Sequence, residues 1–140
     1  MRIGLFFDPP ASLETFTEQV ADAERRGFAS AWTSQIFSWD ALTLLALVGR
    51  TVPRIELGTA VVPTYPRHPS ALAGQALTTQ AAVGGRLLLG IGLSHQIVVE
   101  GMWGYSYERP ARHMREYLQA LLPLLRGEAA SVEGETLKAM

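Results

Sequence analysis

Four short apolar runs recur along the chain at nearly constant spacing, and each is followed by a segment with helical periodicity. The runs cover residues 2–7, 28–33, 55–62 and 86–91, so their starts lie 26, 27 and 31 residues apart. One strand, one helix and two short loops need about 30 residues, so this spacing is typical of consecutive βα units. We therefore predict an α/β fold with a parallel sheet whose strands are buried on both faces.

The segments between the runs carry signals for helix starts and stops. Ser12 is placed to cap a first helix that ends at Gly27. Further helices are predicted over about 39–52, 69–84 and 110–125, and a small hairpin is predicted around Glu133-Gly134. Four βα units fit either an open doubly wound sheet or half of an eight-unit barrel, which usually takes about 250 residues. Sequence periodicity alone favours neither.

Composition excludes several classes of protein. The 140 residues include 12 Lys and Arg against 13 Asp and Glu, so no basic surface is available for nucleic acid. The chain has no cysteine, which excludes disulfides and cysteine-based metal centres. The longest apolar run, residues 41–49, is about half the ~20 residues that a membrane span needs, and the N-terminus lacks the pattern of a signal peptide. We expect a cytoplasmic protein with no membrane contact.

Ligands of parallel α/β folds bind at the carboxyl ends of the strands, so the residues that follow each run are candidate site residues. They include one early acid (Asp8), amides, aromatic residues and His95. For His95 an acid/base role and a loop role are equally supported. His68 is expected to begin a helix and His113 to lie at a solvated helix start. The three histidines are far apart in sequence, so we expect no metal site.

Three segments in this order are found together in a known family. They are LGTAVVP at 57–63, YPRHP at 65–69 and GRLLLGIG at 85–92, and RPARHMREYLQALLPLLRG at 109–127 adds to them. With these motifs the chain resembles the luciferase-like monooxygenase superfamily, and most closely its coenzyme F420-dependent oxidoreductase branch. The resemblance implies a TIM (β/α)8 barrel. Residues 1–140 would then be a single luciferase-like domain truncated to the N-terminal half-barrel, with four consecutive βα units.

The resemblance also implies a set of site residues. Members of the family carry a strand-three bulge with a cis peptide bond behind the ring of the cofactor, and the matching bond here is Ala60–Val61. The cofactor is coenzyme F420, with FMN as the alternative. The implied cofactor-binding residues are Asp8, Gly58, Thr59, Ala60, Val61, Leu93, Ser94 and His95. His95 is the candidate acid/base and Gln35 a second catalytic candidate, while Ile36 and Trp39 would line the substrate side. Some relatives have an acid at the position of His95 and a histidine near that of Ile36, so this chain departs from their proton-donor pattern.

These implications lead to two functional hypotheses. In the first, the chain belongs to an oxidoreductase that transfers a hydride between coenzyme F420 and a small organic substrate, and the isolated chain is weak or inactive. In the second, it is a non-catalytic half-barrel that self-associates through the exposed edges of strands one and four. A stand-alone flavodoxin-like module is disfavoured, because Asp8-Pro9-Pro10 is a poor anion loop.

Overall fold

The computed structural model describes all 140 residues, which form two compact units. The first unit comprises residues 1–62 and 76–91, and the second comprises residues 63–75 and 92–140. In chain order the elements are β1 (Gly4–Phe7), α1 (Leu13–Arg25), β2 (Ser30–Thr33), α2 (Ala41–Thr51), β3 (Glu56–Thr59), β4 (Val62–Pro63), α3 (Pro69–Ala82), β5 (Leu87–Leu88), β6 (Ile91–Gly92), α4 (Gln96–Gly101), α5 (Pro110–Leu125), β7 (Val132–Glu133) and β8 (Lys138–Ala139).

The first unit is built on a four-stranded parallel sheet in the order β1-β2-β3-β5. The register places Phe6 beside Trp32, Trp32 beside Gly58, and Gly58 beside Leu88. Because every strand pair is parallel and a helix follows each of β1, β2 and β4, the predicted α/β class with βα units is confirmed.

The two faces of this sheet differ in burial. Ala31 and Leu57 lie on the face that packs against α1 and α2, in a core that includes Phe16, Val20 and Leu45. The side chains of Phe6, Trp32 and Leu88 lie on the opposite face. Phe6, on that face, is 54% exposed. The prediction that the strands are buried on both faces is therefore wrong for β1 (Gly4–Phe7), because the continuous apolar run does not show which face the chain itself covers.

The helix boundaries follow from local capping. Ser12 caps α1 as predicted, with its hydroxyl accepting the Thr15 N–H at 3.1 Å. Asp40 caps α2 by accepting the Thr43 N–H at 2.8 Å, so this helix begins at Ala41 rather than near Trp39. Helix α5 has the predicted bounds. No helix of the chain is both long enough and apolar enough to cross a membrane.

Three features differ from the sequence prediction. The strand predicted over 55–62 is divided into β3 and β4, and the strand predicted over 86–91 is divided into β5 and β6. Helix α4 was not predicted, because six residues are too few for a readable period. A hairpin is present as predicted, but its turn comprises residues 134–137 rather than Glu133-Gly134, because Glu133 belongs to β7 and pairs with Lys138 of β8.

Candidate functional site

A β-bulge interrupts the sheet of the first unit after β3. The Ala60 N–H donates to the Thr33 carbonyl at 2.8 Å, and the Gln35 N–H donates to the Val61 carbonyl at 3.2 Å. Ser34 therefore lies opposite two residues, Ala60 and Val61, where a regular ladder would pair it with one. The peptide bond between Ala60 and Val61 is cis, which confirms the bond geometry that the family resemblance implied.

Thr59 supports the bulge from the side of the next strand. Its hydroxyl donates to the Gly90 carbonyl at 2.8 Å and accepts the Gly90 N–H at 2.9 Å. The main-chain ladder resumes where the Val62 N–H donates to the Gly90 carbonyl at 2.9 Å. A Cβ atom at Gly90 would lie 2.0 Å from the Thr59 carbonyl oxygen, so only glycine fits there. A side-chain hydroxyl thus replaces ladder bonds that the bulge removes.

The bulge presents a small apolar surface. Ala60 is exposed and Val61 is 39% exposed, whereas Gly58, Thr59 and Val62 around them are buried. Ile36, which follows β2, is 52% exposed. Exposed apolar side chains at the carboxyl end of a parallel sheet are suited to contact with an apolar or aromatic ligand.

Two buried hydroxyl groups beside the bulge have no hydrogen-bond partner. They belong to Thr33, which is fully buried at the end of β2, and to Ser34. Buried polar groups are nearly always paired, so an unpaired one in a folded protein requires a particular explanation. Neither residue is among the site residues predicted from the sequence, because the burial of a hydroxyl group cannot be read from residue type.

Gln35 and Trp39 have local structural contacts in the segment between β2 and α2. The Gln35 side-chain oxygen accepts the Ala41 N–H at 3.2 Å, which holds the first turn of α2. Trp39 is half-buried and packs against the core of the first unit. Asp8 is exposed just after β1. The roles of these three residues toward a cofactor or substrate stay predictions.

The other predicted site residues, Leu93, Ser94 and His95, lie in the second unit between β6 and α4. Ser94 has a φ angle of 65°, in the left-handed region that residues with a side chain seldom adopt. His95 is exposed and occupies the N-cap of α4, but its side chain makes no capping hydrogen bond. The imidazole ring is therefore accessible for proton transfer.

His68 and His113 have structural roles in the second unit. His68 precedes α3 and its carbonyl accepts the Leu72 N–H, so the predicted helix-start role is confirmed. The expectation of a solvated His113 is wrong. This residue is 6% exposed and stacks on Tyr65 with 4.0 Å between ring centroids. Burial lowers the pKa of His113, and the nearby Glu116 carboxylate opposes that shift.

The second unit contains a cavity of about 560 Å³ that none of the predicted site residues lines. Several of its polar side chains already have partners within the second unit. His68 contacts the Lys138 carbonyl through Nε2 at 2.7 Å, Arg109 pairs with Glu135, and His113 contacts Thr64 at 3.2 Å. The bulge and the Leu93–His95 loop, with their exposed and unpaired groups, are the stronger candidates for a functional site.

The whole sequence, residues 1–140, matches the family described as luciferase-like monooxygenase. The chain belongs to this family. Among curated proteins it is 40% identical over 123 residues to a Mycobacterium tuberculosis protein named for coenzyme F420-dependent oxidoreductase activity; the match covers 84% of this chain and 35% of that protein. It is 32% identical over 142 residues to the 5,10-methylenetetrahydromethanopterin reductase of Archaeoglobus fulgidus, which covers 99% of this chain and 42% of that protein.

Solved structures of luciferase-like proteins show the same fold. The coenzyme F420-dependent tetrahydromethanopterin reductase of Methanopyrus kandleri matches with a TM-score of 0.87 and 22% identity, over 99% of this chain and 44% of that one. The FMN complex of the oxygenating constituent of a Pseudomonas putida 3,6-diketocamphane monooxygenase matches with a TM-score of 0.82 and 20% identity, over 99% of this chain and 43% of that one. The α/β fold is thus that of the TIM-barrel-type luciferase-like proteins, and the chain spans less than half the length of these relatives.

Proposed function

We propose that this chain supplies the ring-binding part of an oxidoreductase that transfers a hydride between coenzyme F420 and a small organic substrate. The observation that carries the proposal is the bulge at Ala60–Val61, an exposed apolar surface at the carboxyl end of the sheet. The names of two relatives, one from Mycobacterium tuberculosis and one from Methanopyrus kandleri, support coenzyme F420. FMN is the alternative, because a related monooxygenase structure holds it.

The residues around the bulge fit the face of a flat ring. Ala60 and Val61 offer small apolar side chains, and Thr59 and Gly90 beneath them are fixed by reciprocal hydrogen bonds. No charged side chain occurs from Leu57 to Thr64. We propose that the ring rests on this surface, with Asp8 and Gly58 of the first unit beside it. The family resemblance assigns Leu93, Ser94 and His95 of the second unit to cofactor binding as well. A bound flavin or deazaflavin supplies the two-electron chemistry, and the protein supplies its orientation and electrostatic environment.

His95 is the proposed acid/base. Its imidazole is exposed and is not used to cap α4, so a substrate can reach it for proton transfer. Gln35 is proposed as a second polar contact, next to the bulge that its own N–H group binds. Ile36 and Trp39 are proposed on the substrate side.

A cofactor titration followed by tryptophan fluorescence tests the proposed site. Trp32 is the reporter, because a Cβ atom at Gly58 would meet its ring at 2.2 Å, close to the bulge. We expect coenzyme F420 to quench the emission saturably and weakly, and Trp32→Phe to remove most of that signal. Saturable quenching by FMN alone would mean that FMN, and not coenzyme F420, is the cofactor. A folded chain whose emission neither cofactor changes would contradict ring binding by this chain.

We also propose that the sheet is the N-terminal half of an eight-stranded barrel and that isolated chains self-associate through its edges. Strands β1 and β5 each have one neighbour in the four-stranded order, and Phe6 of the edge strand β1 is 54% exposed. Light scattering on the chain at tens of micromolar should give a mass above 15.3 kDa, and Phe6→Glu should lower it. A single monomeric species in the unsubstituted chain would contradict self-association.

A further inference from the structure

The loop from Leu93 to His95 contains a backbone conformation that its own sequence does not favour. Ser94 has a φ angle of 65° although it carries a side chain. A left-handed residue other than glycine persists only where contacts around it hold it in place, and such residues cluster at functional sites. A group that holds Ser94 should therefore lie close to it in the second unit.

Tyr107 makes this contact with Ser94. Its hydroxyl group donates to the Ser94 carbonyl at 3.2 Å, across 13 positions of the sequence. The ring of Tyr107 is half-buried and lies 5.5 Å, centroid to centroid, from the ring of Tyr65. Tyr65 in turn stacks on the buried His113. The hydroxyl group of Tyr107 is thus carried by a side chain that is packed from behind.

The backbone of Tyr107 is also fixed. Its N–H group donates to Oε1 of Glu100 at 3.1 Å, and Oε2 of the same carboxylate accepts from the Gln96 side chain at 3.0 Å. Gln96 is the first residue of α4 and directly follows His95. One carboxylate therefore ties the start of α4 to the residue whose hydroxyl group holds Ser94.

We propose that Tyr107 is a positioning residue: its hydroxyl group holds the Ser94 carbonyl and so fixes the left-handed turn that sets the direction of His95. Tyr107 touches neither cofactor nor substrate in this assignment, and it acts through Ser94. The assignment rests on the proposed function only for the acid/base role of His95. The geometry at Ser94 can be tested without any cofactor.

The test compares Tyr107→Phe with Tyr105→Phe in the cofactor-free chain. Phenylalanine at position 107 keeps the ring beside Tyr65 and removes only the hydroxyl group. Tyr105 is a matched control, because it lies two residues away and is 48% exposed. The readout is the NMR signal of the His95 imidazole, assigned with His95→Gln. We expect Tyr107→Phe to shift or broaden this signal and Tyr105→Phe to leave it unchanged. An unchanged His95 signal in Tyr107→Phe, or equal changes in both variants, would overturn the assignment.

Ser94→Gly provides the second arm, since glycine adopts positive φ angles without steric cost. If Tyr107 acts through the Ser94 conformation, the loss of cofactor affinity that Tyr107→Phe causes should be smaller in the Ser94→Gly background. In the fluorescence titration we expect Tyr107→Phe to weaken cofactor binding about two- to twelvefold, the range for one neutral hydrogen bond. Equal losses in both backgrounds would overturn the assignment. A wild-type chain that binds neither cofactor would instead contradict the proposed function, with the NMR comparison still deciding the role of Tyr107.

Discussion

The bulge in the first unit and the hairpin in the second unit treat buried polar groups in opposite ways. At the bulge, the hydroxyl groups of Thr33 and Ser34 are buried without partners. At the hairpin, Glu116 is 8% exposed, and its carboxylate accepts three hydrogen bonds: from the Glu135 N–H at 3.1 Å, the Thr136 N–H at 2.9 Å and the Thr136 hydroxyl at 2.6 Å. Two buried hydroxyl groups are thus unpaired at the bulge, whereas the buried carboxylate at the hairpin has several hydrogen-bond partners.

This difference separates scaffold from candidate site. A saturated carboxylate between a helix and a hairpin contributes to stability, because its hydrogen bonds compensate for its own burial and tie the hairpin to the helix. Unpaired hydroxyl groups beside an exposed apolar bulge lower stability, and folded proteins retain such groups mainly where they function. We therefore expect substitutions at the hairpin to affect folding first and substitutions near the bulge to affect ligand binding first, with one exception.

The exception is Gly90, which we expect to give the largest effect. Gly90→Ala would place a Cβ atom 2.0 Å from the Thr59 carbonyl oxygen, a backbone atom that cannot move without breaking the bulge. We expect a loss of about 3 kcal/mol or more in the free energy of unfolding, at the upper end for overpacking. Urea denaturation followed by circular dichroism measures it. Gly74→Ala, a helical position with no atom within 4 Å of the new Cβ, is the matched control and should be neutral or stabilising. Equal stabilities for the two variants would show that the bulge is not rigid.

The next largest effect is expected at Glu116. Glu116→Ala removes three hydrogen bonds to a carboxylate that tie the hairpin to α5, so we expect a loss of about 2–3 kcal/mol in the free energy of unfolding. Glu116→Gln keeps one acceptor oxygen and should lose less. Glu128→Ala is the control, because that carboxylate pairs with Arg126 in solvent. Cofactor binding is the second readout. If Glu116→Ala weakened it more than it weakened folding, the hairpin would not be scaffold alone.

The pH dependence of the second unit should show two steps of smaller size. Burial lowers the pKa of His113 from 6.5, so the unfolded chain binds a proton that the folded chain rejects, and stability present above about pH 6.5 is lost as the pH falls. Hydrogen bonds from Thr136 lower the pKa of Glu116 from 4.5, so a second loss follows below about pH 4.5. Unfolding midpoints measured from pH 8 to about pH 3 test both steps. His113→Phe keeps a ring against Tyr65 and should abolish the first step alone; a first step that survived it would have to be assigned to another group.

The sequence predicts most of the fold but little of the polar network. The βα spacing, the Ser12 cap and the bounds of α5 could be read because they depend on neighbours in sequence. The Ala60–Val61 bond came from family resemblance, since no local rule marks it. The burial of His113 could not be read, because Arg109, Arg112 and Arg115 around it indicate a solvated helix face while Tyr65, 48 residues earlier, covers it. Tyr107 was missed for the same reason, as its partner Ser94 lies beyond the range of a helical period.

The smallest expected effect completes the contrast between the two regions. Thr33→Val removes a fully buried hydroxyl group without a partner and keeps the shape of the side chain, so we expect the free energy of unfolding to rise by up to about 1 kcal/mol. Thr79→Val is the matched control. That hydroxyl group is also buried but contacts the Leu42 carbonyl at 3.4 Å, so its removal should be neutral or destabilising. Thermal melts of both variants measure the difference. A loss of stability in Thr33→Val equal to that in Thr79→Val would mean that Thr33 is already satisfied in solution, for instance by a buried water, and that unpaired hydroxyl groups do not mark the site.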